Sequence, residues 1–254
     1  MMEQVPVVVM DFSGVYSMHQ EFLRRAHTVL DVRSIHGTAC YLDPEAEQSL
    51  RNLIEPYAGL GIHFIDKGDY HYMTRLWCGH LHEDYALILL DHHPDTQSPR
   101  FEGMSSCGSW LRELMLEDGH LKKAYILGAS PQLYGEALDL GDRVCFYSKD
   151  MLGTREGILG ALRAVGSESL PVYVSLDLDV LSERVFKTNW DQGDMTWDML
   201  CQILDHISFE KVLGVDVCGE ESMERQGTMT YANPIVMDRL LDRLLQCFGG
   251  NRPE

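Results

Sequence analysis

Short apolar runs alternate with amphipathic segments along the chain, and few folds accept that alternation. Residues 5–10, 61–66, 86–90, 123–127, 143–147, 172–176 and 212–217 read as strands. Residues 45–58, 72–81, 108–117, 154–165, 196–206 and 234–248 carry helical periodicity. Asp43-Pro44 opens the first helix with a capping side chain and a proline at the first helical position. Several strand runs are apolar throughout and are followed by a helix. That pattern predicts an α/β fold: three layers, α/β/α, around a mostly parallel central sheet covered on both faces. The 254 residues suffice for one large domain spanning 1–254, with no internal repeat, low-complexity stretch or dividing linker.

In sheets of this kind, ligands gather at the carboxyl ends of the strands. Two acidic motifs fall there. Asp91-His92-His93-Pro94-Asp95 follows the third strand run, and Ser175-Leu176-Asp177-Leu178-Asp179 closes a later one. Alternate residues of an extended chain point the same way. Asp91, His93 and Asp95 are therefore expected to share one face, and so are Asp177 and Asp179. Four carboxylates and an imidazole gathered together resist burial unless a cation sits between them. The simplest cation is a metal. Oxygen and imidazole donors suit Mn2+ better than thiolate-loving metals.

Composition narrows the partners. Lys and Arg number 21 against 39 Asp and Glu, a formal charge of −18, which argues against nucleic acid or an anionic membrane. No apolar run approaches the ~18 residues of a membrane span, and no secretory leader is visible. The seven cysteines are odd in number, widely spaced and without a Cys-x-x-Cys pair, so the expected compartment is the reducing cytoplasm.

The two motifs, in this order and spacing over roughly residues 60–220, resemble the arginase and agmatinase (ureohydrolase) family. The resemblance implies a dinuclear manganese site at the carboxyl end of the sheet. Carried over, Asp91, His93 and Asp95 match the first ligand cluster, and Asp177 and Asp179 the second. His71 matches the family's single upstream histidine, although Tyr70 is inserted ahead of it. The implied reaction is attack of a hydroxide shared by two Mn2+ ions on the trigonal carbon of a small guanidino, amidino or amide compound, breaking a C–N bond. Asp95 would bind metal and accept a hydrogen bond from the nucleophile. Family members are commonly trimers or hexamers, so a homo-oligomer is expected by analogy.

Three positions depart from the family pattern. Cys107 stands where a catalytic His is usual. Gly219 stands where a substrate-binding Glu is usual, and Glu220 follows it. Ser182-Glu183 replaces an Asp-Pro pair. Cys107 and Glu220 are accordingly the candidate pocket residues beside Asp95, and arginine itself is a poor guess for the substrate. A surface turn and a pocket lining are equally open for Trp190 and Asp191. Asp11 and Ser13 are weak candidates, and His80 and His82 read as solvated surface. Two alternatives remain: a deacetylase-like hydrolase using one metal, suggested by the His92-His93 pair, and a non-catalytic metal-binding member of the fold.

Overall fold

The computed structural model describes residues 5–57, 61–222 and 232–250. Its strands are β1 (Val7–Asp11), β2 (Thr28–Asp31), β3 (Tyr41–Leu42), β4 (Ile62–Phe64), β5 (Tyr85–Leu90), β6 (Ser105–Ser106), β7 (Leu121–Leu127), β8 (Val144–Tyr147), β9 (Val172–Asp177) and β10 (Val212–Cys218). Eight of them form one sheet in the order β2-β1-β4-β10-β9-β5-β7-β8. Every neighbouring pair in it is parallel. β3 and β6 make a separate antiparallel pair. The helices are α1 (Gln20–Arg25), α2 (Pro44–Ile54), α3 (Met73–Cys78), α4 (Trp110–Glu117), α5 (Lys149–Leu152), α6 (Arg155–Gly166), α7 (Trp197–His206) and α8 (Ala232–Phe248).

The pleat explains why the strand runs are apolar throughout. In β5, Ala86, Ile88 and Leu90 enter one hydrophobic cluster, together with residues of α1, α6, α7 and α8. Tyr85, Leu87 and Leu89 enter the other, with α2, α3 and α4. Both faces are therefore dry, and the three expected layers are present. Helix starts follow their caps. The Asp43 carboxylate accepts from Ala46 N at 2.8 Å, and Thr154 and Thr196 do the same for α6 and α7.

All seven predicted strand segments form strands in the sheet, and β2 is an addition on its edge. The predicted helix 45–58 stops earlier, at Ile54, and passes into a single 3-10 turn at Glu55–Tyr57. Pro56 has no N–H to continue the helical ladder, and position 58 lies outside the described residues. A chain of 3-10 turns fills 131–143, where no element was expected.

The four central strands, β4, β10, β9 and β5, all end at the same edge. The acidic motifs emerge from β5 and β9, and His71 follows the turn after β4. The parallel sheet thus delivers every candidate ligand to one place.

Candidate metal centre

The first motif is a folded turn, not an extended strand. His93 N donates to Asp91 Oδ1 at 2.6 Å. Asp95 has φ of 51°, in the left-handed region. Its carbonyl accepts Leu111 N of α4 at 3.1 Å, and its Oδ2 accepts Trp110 Nε1 at 2.5 Å. The second motif turns as soon as β9 ends, and Asp179 N donates to Asp177 Oδ1 at 2.9 Å. His92 N then donates to Asp179 Oδ1 at 3.0 Å, tying the two motifs together. The shared faces expected from strand alternation are reached by these turns.

The carboxylates and imidazoles converge. His71 Nδ1 lies 2.9 Å from Asp95 Oδ2, 3.2 Å from Asp91 Oδ2 and 3.5 Å from Asp177 Oδ2. His93 Nδ1 lies 2.9 Å from Asp179 Oδ2 and 3.7 Å from Asp91 Oδ1. Within each of the triads His71–Asp91–Asp95 and Asp91–His93–Asp179, the ligand atoms fall within 4.8 Å of one another. Asp91 belongs to both. A third group, His71–Asp177–Cys218, adds a thiol.

Two observations fit this set to divalent cations. Asp91 Oδ2 is buried and receives no hydrogen bond, although His71 Nδ1 is close by; an orphaned carboxylate oxygen is costly unless a cation meets it. His71 is also aimed from behind. Its Nε2 pairs with Ser175 Oγ at 2.9 Å, and Ser175 donates to Asp216 Oδ1 at 2.7 Å. That chain leaves Nδ1 facing the carboxylates, as metal-binding imidazoles are commonly oriented. The site is short of positive charge. Burial, then the Asp179 charge, pushes Asp177 up to about 6. Burial, then Asp91, pushes Asp179 up to about 7. Burial alone would depress His93, but the carboxylates of Asp179 and Asp91 outweigh it and raise it to about 12. Protons collect where cations would serve the same purpose.

The cluster floors a cavity of about 350 Å³. Cys40, Tyr41, Cys107 and Trp190 wall it, and Gln97 and Arg100 lie on its lining as well. Cys107 is therefore at the site. Its N–H donates to Cys40 O at 2.9 Å, and the neighbouring Cys40 thiol together with burial holds the Cys107 thiol protonated. Trp190 joins the lining and donates from Nε1 to Asp69 Oδ1 at 3.0 Å. Asp191 is not part of the lining, nor is the ring of His92, whose contribution is its backbone N–H. Asp11 and Ser13 stand apart from it too: Ser13 Oγ donates to Asp66 Oδ1 at 2.7 Å. His80 and His82 lie outside it.

Glu220 is set away from this cavity. Gly219, with φ of 101°, reverses the chain at the end of β10, and Gly219 N and Glu220 N both donate to Asp66 O at 3.0 Å. The Glu220 carboxylate is buried behind the turn. Oε1 accepts Asn233 Nδ2 at 2.8 Å and Glu221 N at 2.9 Å, and Oε2 lies 3.5 Å from His19 Nε2. Burial raises Glu220 from its ordinary 4.5 to about 7. The folded chain keeps a proton that the unfolded chain releases, so this stabilisation is complete below pH 4.5 and lost as pH rises through 7. The loss by pH 8 is on the order of 3 kcal/mol. Gln would keep both acceptor contacts and turn its NH2 toward His19 Nε2, an unpaired nitrogen on an imidazole that burial depresses to about 4. Glu220→Gln is therefore expected to raise Tm by roughly 5–10 °C at pH 8 and little at pH 5, read by scanning calorimetry. Equal shifts at both pH values would contradict a buried, proton-holding Glu220.

Comparison with known proteins agrees with this architecture. A family model described as the arginase family matches residues 61–236. A Thermotoga maritima protein named only as uncharacterized is 28% identical over 212 residues, covering 84% of this chain and 78% of its own. The agmatine ureohydrolase of Thermoplasma volcanium superposes with a TM-score of 0.68 at 14% identity, over 97% of this chain and 91% of that one. Trypanosoma cruzi formiminoglutamase with Mn2+ gives 0.71 at 14%, over 99% and 95%. Proclavaminate amidino hydrolase from Streptomyces clavuligerus gives 0.68 at 16%, over 98% and 93%. At these identities the solved structures speak for the fold, whereas the family model covers more than half of the sequence. The chain belongs to the arginase family, as a divergent member.

Proposed function

We propose that this protein is a metal-dependent hydrolase that breaks a C–N bond in a small amidine-bearing compound, guanidino or formimino. The observation that carries the reading is the pair of triads sharing Asp91, which offers two adjacent cation positions at the floor of one cavity. His71, Asp91, Asp95, His93, Asp177 and Asp179 are the residues that would hold two ions. Their oxygen and imidazole donors suit manganese, the metal named for the T. cruzi relative. Two such ions supply Lewis acidity and lower the pKa of water at the site.

The chain's own groups do the rest. Asp95, held at Oδ2 by Trp110, would bind metal and accept a hydrogen bond from the nucleophile. Cys107, kept as a neutral thiol, walls the pocket in place of an imidazole and cannot serve as a base at neutral pH. Glu220 acts from behind, by holding the turn that closes over Asp177. A one-metal deacetylase-like reading is disfavoured by the second triad. Among the described residues, no helix is long and apolar enough to cross a membrane; a cytoplasmic location, suggested by the seven widely spaced cysteines, is part of this proposal.

Protein purified without chelator and loaded with Mn2+ is expected to hold about two ions per chain, the occupancy a two-metal site requires. It is expected to release urea, ammonia or formamide from members of a guanidino and formimino panel. A single ion at saturation, or silence across the panel with both ions bound, would sink the proposal.

A further inference from the structure

We propose that Cys218 is a sulfur ligand on the sheet side of the cluster, so that the His71 position selects thiophilic divalent ions of the zinc and cobalt class over Mn2+. That the cluster holds two ions rests on the hydrolase reading above; the sulfur rests on the strand register. Cys218 ends β10 directly opposite Asp177, which ends β9, and two residues earlier Asp216 stands opposite Ser175. Alternation puts these four side chains on one face of the sheet, the face that meets His71. Cys218 Sγ lies 3.1 Å from Asp177 Oδ2, and His71 Nδ1 lies 3.5 Å from the same oxygen. The three residues are buried and offer donor atoms within 4.8 Å of one another.

A tetrahedral ion bound at about 2.0–2.3 Å holds its sulfur, nitrogen and oxygen donors about 3.4–3.6 Å apart. The two measured separations already stand close to that spacing. A fourth donor is at hand. Asp91 Oδ2, buried and without a hydrogen bond, lies 3.2 Å from His71 Nδ1. Cys218 is not on the cavity lining, so it reaches an ion from behind and leaves the cavity to a substrate. In the metal-free chain its thiol donates to Asp177. On binding, the sulfur electron pair goes to the ion and the S–H proton passes to buffer. The triad Asp91–His93–Asp179 offers oxygen and nitrogen alone. The two positions are therefore chemically unequal: sulfur favours zinc and cobalt, whereas carboxylates with one imidazole hold Mn2+.

The test strips full-length protein of metal and loads it with Co2+. A thiolate-to-cobalt charge-transfer band in the near ultraviolet is expected at saturation. It should vanish in Cys218→Ser and persist in Cys40→Ser and Cys107→Ser, which alter the two thiols on the cavity wall. Zinc outranks manganese at almost any nitrogen and oxygen site, so the deciding quantity is the change in their affinity ratio. Chelator competition, with both metals counted by mass spectrometry, is expected to show Cys218→Ser lowering that ratio by about 10- to 100-fold, at least the range for losing a group that only supports a ligand. X-ray absorption at the zinc edge needs no variant and should show one sulfur neighbour at about 2.3 Å in the unmutated protein. No sulfur neighbour at saturation, a charge-transfer band that depends on Cys107 instead, or a ratio that Cys218→Ser leaves unmoved would overturn the inference and leave Cys218 as a hydrogen-bond donor to Asp177. None of these readouts depends on turnover. Silence across the guanidino and formimino panel would sink the hydrolase reading, and the spectra would still decide the sulfur.

Discussion

Asp91→Asn is expected to empty the site of both ions and remove hydrolysis, while the metal-free protein becomes more stable. Asp91 is the residue common to both oxygen–imidazole triads. Asn can place its oxygen where Oδ1 accepts His93 N. Its NH2 must then take the position of Oδ2, the buried oxygen with no hydrogen bond, and an amide nitrogen is no metal ligand. Loss of a group that only supports a metal ligand costs about 10- to 100-fold in affinity or activity. Loss of a ligand shared by two ions is expected to exceed that range. Metal analysis after dialysis, with rates on the same sample, reads both effects.

The stability effect has the opposite sign. Burial is the first reason Asp179 is raised to about 7, and the Asp91 charge is the second. A carboxyl group raised above its ordinary 3.8 contributes stability that is complete below that value and lost as pH rises through 7. His93, raised to about 12 by the same carboxylates, gives a contribution that is complete below its ordinary 6.5 and lost as pH rises toward 12. Four carboxylates against two imidazoles leave excess negative charge at pH 8, and Asn removes one unit of it. With chelator at pH 8, Asp91→Asn should melt above the unmutated protein; with saturating Mn2+ the order should invert. A variant that melts lower under both conditions would mean that Asp91 is needed for folding rather than for holding metal.

The parts of this molecule legible in its sequence follow from periodicity. Apolar runs buried on two faces cannot belong to a half-exposed sheet, so the parallel, three-layer arrangement could be read directly. The positions of Asp91 and Asp177 followed too, because a strand end is a fixed place in a parallel sheet. Finer geometry did not follow. The ligands converge through hydrogen-bonded turns and a left-handed Asp95, which alternation along an extended strand does not describe. Strand parity also fails just past β10, because Gly219 flips the backbone, and Glu220, expected in the pocket, points behind it. Ser175 and Asp216 were findable. They stand opposite each other in the β9–β10 register, and parity places Ser175 on the same face as Asp177. β2 is a four-residue edge strand with mixed burial, too short for its pattern to stand out from a loop.

Gly219→Ala is expected to lower Tm by about 5–15 °C and to weaken metal binding, because the wall behind Asp177 has no room for a methyl group. An added Cβ would lie 2.4 Å from Asp177 Oδ1, 2.8 Å from Leu178 N and 3.1 Å from Leu178 Cβ. The φ of 101° is itself strained for any residue with a side chain, at about 1–3 kcal/mol. Overpacking adds about 1–3 kcal/mol more. Relaxation is blocked on both sides. Asp66 O holds the Gly219 and Glu220 N–H groups, and Asp177 is fixed through Oδ1 by Asp179 N and through Oδ2 by the Cys218 thiol. Displacing Asp177 therefore moves Asp179 with it, so the strain reaches the metal ligands as well as the fold. The family resemblance sets a Glu at this position to bind the cationic substrate. Here a Glu would need the same Cβ, so Gly219→Glu should damage the site instead of restoring that contact. Unchanged Tm and two bound ions in Gly219→Ala would mean the turn is looser than these distances state, and the absence of the Glu would then reflect chemistry rather than space.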